Sequence, residues 1–172
     1  MSSYYYITDG YLTTSIVHYN TTTMSNQKQQ VVDSLHKLIE LNKDSDRGYK
    51  EASENINDPE LKTILYRLSQ QRAEFRGDIE EILRKDYHDN ADPSDSFLSK
   101  LHRGWMDFKS SLSSNDNKAI LDECIRGEKH AIETYEEELS EHLPKYIEEQ
   151  LNAQLSLVKG ALNQINEFKS SV

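Results

Sequence analysis

The chain holds one cysteine, Cys124, so no intramolecular disulfide framework exists and the core must stand on burial alone. A single thiol also fits a reducing compartment, and its neighbours Ile120, Ala131 and Tyr135 place it among apolar side chains as a small buried hydrophobe. Three prolines and six glycines in 172 residues leave long stretches without a breaker. The abundant Glu, Lys, Gln, Leu and Ala lose little rotamer freedom in a helix, so an all-α chain follows. No apolar run approaches the ~20 residues of a membrane span, and mean hydropathy is -0.81, which predicts a soluble protein without membrane contact. Positive charge is short as well: 20 Lys and Arg stand against 30 Asp and Glu, for a net charge of -10 and a pI near 5.0. That balance excludes a basic face for neutralising nucleic-acid phosphates.

What is present is acid and helix. The surplus carboxylates gather at Glu128, Glu133, Glu136, Glu137, Glu138, Glu141, Glu148 and Glu149, the pattern of a solvated helix face. The first residues differ in kind: Tyr4, Tyr5, Tyr6, Tyr11 and Tyr19 lie among many threonines, with Asp9 the only charge before Lys28. This stretch lacks the basic start and continuous apolar region of a signal peptide. Residues 1–24 are expected to form a disordered or weakly structured tail, or to precede a start at Met24, and residues 25–172 to form one domain.

A first helix is predicted from about Ser25 to Ile56, with Ser25 or Asn26 as cap and Val31, Leu35, Leu38, Ile39, Tyr49 and Ala52 on one stripe. Asp58-Pro59-Glu60 opens a second, because the Asp side chain can accept from free amides while Pro lacks a donor that would go unused there. It runs to about Lys85. Asp92-Pro93 repeats the signal before a short amphipathic helix carrying Phe97, Leu98, Leu101, Trp105, Phe108 and Leu112. A third long helix carries Ile120, Leu121, Cys124, Ala131, Tyr135 and Leu139; Leu143-Pro144 opens a fourth, with Ile147, Leu151, Val158, Ala161, Ile165 and Phe168.

Short breaks near Asn57 and His142 force two antiparallel hairpins, while the middle connection is long enough to return along the bundle. The expected architecture is therefore a ferritin-like four-helix bundle with a long crossover containing a short fifth helix. In that topology Asp46, Gln71 and Glu128 lie about eleven, thirteen and twelve residues from a shared end, and Gln154 one turn further in. Each interrupts an apolar stripe, so a polar layer is expected at mid-bundle.

Di-metal bundles of this shape place Glu-x-x-His pairs at that height. No histidine here has Glu three positions before it: Asp33, Ser99, Gly127 and Leu139 precede His36, His102, His130 and His142. Gly-rich phosphate loops, a Ser-His-Asp order and paired cysteines are missing too. Two readings follow. Asp46, Glu74 and Glu128, with the carbonyls of Gln71 and Gln154, could bind one iron or manganese through oxygen. Alternatively the acids are neutralised by Arg72, Arg126 or Lys159, and the amides bridge helices to fix register. A satisfied network predicts that Glu128→Ala costs about 1–3 kcal/mol, while a cluster of repelling acids predicts stabilisation.

Leu101-His102-Arg103-Gly104-Trp105-Met106-Asp107, then Leu121-Asp122-Glu123-Cys124-Ile125-Arg126-Gly127-Glu128 and Tyr135, resemble a bacterial family of ferritin-like four-helix-bundle proteins of unassigned function. Asp58-Pro59-Glu60-Leu61-Lys62 and Gln70-Gln71-Arg72-Ala73-Glu74-Phe75 are similar to the same family, and the similarity spans about Gln27 to Phe168. The resemblance implies the fold and a bacterial, cytoplasmic setting, and brings no activity. The expected function is non-enzymatic: a stress-associated interaction protein without resident cofactor, able to form homo-oligomers. The alternative is a metal-binding oxidoreductase with a degenerate carboxylate site.

Overall fold

The computed structural model describes residues 15–89 and 117–171, with side chains from residue 24 onward. All regular structure in these residues is helical: α1 (Ser15–Asn55), α2 (Pro59–Ile82), α3 (Asn117–Leu139) and α4 (Lys145–Ser171). The helix expected around Trp105 and His102 lies outside the described residues, as do residues 1–14. At the front of the domain α1 begins at Ser15 rather than at Ser25 or Asn26, so residues 15–24 of the expected tail are helical.

The boundaries between α1 and α2 follow the local chemistry. Asp58 has extended backbone and its Oδ1 accepts from the amides of Glu60 and Leu61, both at 2.9 Å, with Pro59 in the first turn. Before α4, the Pro144 carbonyl accepts from the amides of Ile147 and Glu148 at 2.9 and 3.0 Å. The end of α2 departs from expectation. Instead of stopping near Lys85 the chain widens into a π-helical turn, Leu83–Tyr87, closed by His88 at φ 55°, in the left-handed region. The turn aims successive side chains at two neighbours: Tyr146 Oη of α4 donates to Asp86 Oδ2 at 2.8 Å, Lys28 Nζ of α1 sits 5.7 Å from the centre of the Tyr87 ring, and His36 Nε2 of α1 lies 3.2 Å from Asp89 Oδ1.

Cross-helix pairs establish direction. Lys37, Asn42 and Tyr49 of α1 bond Glu138, Tyr135 and Glu128 of α3 in that order, so α1 and α3 are antiparallel. One apolar cluster joins Ala52, Ile56, Leu61, Leu65, Ile120, Leu121, Ala161 and Ile165 at the α1–α2 turn; a second joins Leu35, Leu38, Ile79, Leu83, Tyr135, Ile147 and Leu151 at the other end. Thus α2 and α3 start at the same end and run parallel. Residue 89 therefore lies at one end of the bundle and residue 117 at the other.

The stripes that face the core step by alternating threes and fours, which keeps one face of a 3.6-residue helix pointed at its partners. On α2 they run Leu61, Leu65, Leu68, Arg72, Phe75, Ile79, Ile82; on α3 Leu121, Cys124, Glu128, Ala131, Tyr135, Glu138; on α4 Ile147, Leu151, Gln154, Val158, Ala161, Ile165. Every residue named on these stripes is buried, including the four that are charged or amide-bearing.

Candidate functional site: a polar layer at mid-bundle

Where the two apolar clusters meet, Glu128 of α3 is 2% exposed and Arg72 of α2 is 1% exposed. Arg72 Nη2 donates to both carboxylate oxygens, at 2.6 and 2.7 Å, and Tyr49 Oη of α1 donates to Oε1. Three helices therefore converge on one carboxylate. Burial works against the Arg72 charge, yet the facing Glu128, with Tyr49 and Tyr135, more than restores it, and the guanidinium pKa is raised. Burial and then the adjacent carboxylate hold the Tyr49 hydroxyl well above the usual tyrosine range. The same two influences push the Cys124 thiol upward, leaving it protonated and unreactive in the core.

A second chain lies about two turns toward the α3–α4 end, Asn42 and Tyr135 each standing seven residues from Tyr49 and Glu128. Asn42 Nδ2 donates to the Leu38 carbonyl and to Tyr135 Oη, both at 2.8 Å, and Tyr135 Oη donates to Gln154 Oε1 at 2.9 Å. Gln154 Nε2 then reaches the Phe75 carbonyl and Asp78 Oδ2, each at 3.4 Å. This chain touches all four helices. Burial pushes the Tyr135 hydroxyl up to about 12, with the Asn42 bond partly opposing it. Further on, the buried Glu138 accepts from Lys37 at 2.7 Å.

The five expected ligands do not all face the core. Glu128 and Gln154 are in the core but in different networks. Asp46 is half-buried at the α1–α2 seam, where Ser69 Oγ donates to its Oδ1 at 2.8 Å and Arg76 Nη1 lies 3.8 Å from its Oδ2. Gln71 is half-buried with its Oε1 unpartnered, and Glu74 is exposed. Among the described residues no three His, Cys, Asp or Glu side chains assemble into a group able to hold a metal ion. Among the described residues, the Glu128 carboxylate is occupied by a guanidinium and a phenol rather than joined by further acids, which is not the donor set of an iron or manganese site. Of the cations considered from sequence, Arg72 is the partner; Arg126 and Lys159 serve Glu123 and Glu136 at the surface.

Asn42 escaped the sequence reading, and Arg72 entered it only as one of three candidate cations. Arg72 occupies the stripe position between Leu68 and Phe75, four and three residues away, while Gln71 is one step off; that spacing was a usable signal. Asn42 likewise follows Leu35 and Leu38 at core spacing. Tyr49 and Tyr135 were visible as core residues, but which groups their hydroxyls meet depends on another helix.

A bundle of helices organised around a buried Arg–Glu–Tyr triad is the class the geometry defines. The chain belongs to the family described as Domain of unknown function (DUF2383), whose model matches residues 30–141, nearly two thirds of the length, from α1 through the end of α3. No curated protein matches the chain.

Proposed function

We propose that this chain is a non-enzymatic, ferritin-like helical bundle whose mid-core layer acts as a structural register device, leaving its surface for protein interaction, including stress-associated binding. The observation that carries the reading is the Tyr49–Arg72–Glu128 triad: a permanent cation made by the protein itself stands against the carboxylate that a metal would need. The parallel α2–α3 pair, with residues 89 and 117 at opposite ends of the bundle, supports the ferritin-like topology. No described helix is long and apolar enough to cross a membrane. A bacterial cytoplasmic setting agrees with the lone buried thiol of Cys124.

Elemental analysis of protein purified without chelator, with iron and manganese supplied during expression, tests the reading. The expected result is far less than one metal per chain, unchanged in Glu128→Ala. Stoichiometric iron or manganese lost in Glu128→Ala would establish the degenerate-site oxidoreductase reading instead.

A further inference from the structure

The triad accounts for only part of the Arg72 guanidinium. Nη2 serves both oxygens of Glu128 and the guanidinium carbon lies 5.4 Å from the centre of the Phe75 ring, while Nε and Nη1, with the three remaining N–H bonds of the group, are buried without a hydrogen-bond partner. A buried N–H left dry costs as much as a lost hydrogen bond, so native cores leave very few of them. The neighbouring chain of bonds carries acceptors with unused lone pairs. Gln154 binds the carbonyl of Phe75, which is three residues, or roughly 4.5 Å of helix rise, beyond Arg72. Its Oε1 accepts from Tyr135, and Tyr135 Oη accepts from Asn42, leaving one lone pair on each oxygen. Tyr135 and Arg72 also influence one another electrostatically.

The missing partner must accept from the guanidinium and donate onward. A second anion is disfavoured because Glu128 already balances the charge and would repel it across the shared guanidinium. Water satisfies both requirements, and a site with several polar partners is where internal water is held. We propose that the open edges of Arg72 bind ordered internal water that links the Tyr49–Arg72–Glu128 triad to the Asn42–Tyr135–Gln154 chain, making one hydrogen-bonded layer across all four helices. This inference rests on the layer being a structural network.

A crystal structure of the full chain at a resolution that shows ordered water, with a bromide soak as the anion probe, tests it. Expected is solvent density within about 3.2 Å of Nε or Nη1 and of Tyr135 Oη, without anomalous signal. An intact Arg72–Glu128 pair with dry open edges, or bromide at that place, overturns the water site and leaves the network reading standing; a metal on Glu128 overturns both. A double-mutant cycle of Arg72→Met and Tyr135→Phe gives a solution check. Bridged residues shift the unfolding equilibrium of the double variant at least about fivefold from the product of the single effects, whereas independent effects refute the bridge. If Arg72→Met does not fold, the crystals of wild type and Tyr135→Phe decide: the water shared with Oη must weaken or move in the variant, and unchanged density refutes the link.

Discussion

Removing Glu128 is the sharpest perturbation of this core. Its carboxylate faces a guanidinium that is 1% exposed, at N–O distances of 2.6 and 2.7 Å, and a buried phenol besides. With charge centres about 4 Å apart and an effective dielectric of about 20, the pair's attraction is on the order of 4 kcal/mol. Glu128→Ala abolishes that attraction while the guanidinium stays in the core, so the cost rises from the 1–3 kcal/mol of stranded hydrogen bonds to about 3–5 kcal/mol. Against a typical domain stability of about 5–15 kcal/mol this is a large fraction. Urea unfolding followed by far-ultraviolet circular dichroism reads it directly; with a slope near 3 kcal/mol per molar, the midpoint falls by about 1–2 M. Replacing both partners, Arg72→Met with Glu128→Leu, removes the buried charges together and should restore the midpoint to the wild-type value or above. An unchanged or higher midpoint for Glu128→Ala alone would show that Arg72 does not depend on this carboxylate, and the account of the layer would be wrong.

Alkaline pH probes the second network. Burial pushes the Tyr135 hydroxyl to about 12 in the fold against about 10 in an unfolded chain, so its contribution is whole below about pH 10 and drains away as pH climbs to about 12, by roughly 3 kcal/mol. Tyr135→Phe should therefore flatten the fall of the urea midpoint between pH 10 and 12; an equally steep fall would place the sensitivity elsewhere. At the α1–α2 turn, Asp58→Ala removes the acceptor for two amides and should cost about 1 kcal/mol, lowering the Tm by about 2–4 °C in a thermal melt. No measurable shift would mean that water replaces the cap without loss.

Much of the fold was legible because its signals are local. Asp58-Pro59 marks a helix start through a side-chain cap and Leu143-Pro144 through a proline just ahead of the first turn, neither needing a distant partner, and the apolar stripes of α2, α3 and α4 show in the three-four spacing alone. The same spacing identified Glu128 and Gln154 as core polar residues. It failed where one step of register matters: Gln71 was chosen and Arg72 is inside, because a helix turns 100° per residue and a single position moves a side chain from seam to core. The π-helical turn after Ile82 was invisible for a related reason, since contacts of Asp86 and Tyr87, and of Asp89 just beyond, with helices distant in sequence accompany it.

Sequence alone determined that this chain is helical, acidic and built from two hairpins with polar residues at mid-core, because propensity, capping and periodicity act within a few residues. Only the tertiary structure decided that Glu128 answers to Arg72 and Tyr49, that Gln154 belongs to a different chain of bonds, and that Glu74 stands in solvent. Those assignments depend on the relative height and rotation of helices distant in sequence, set by how the whole core packs.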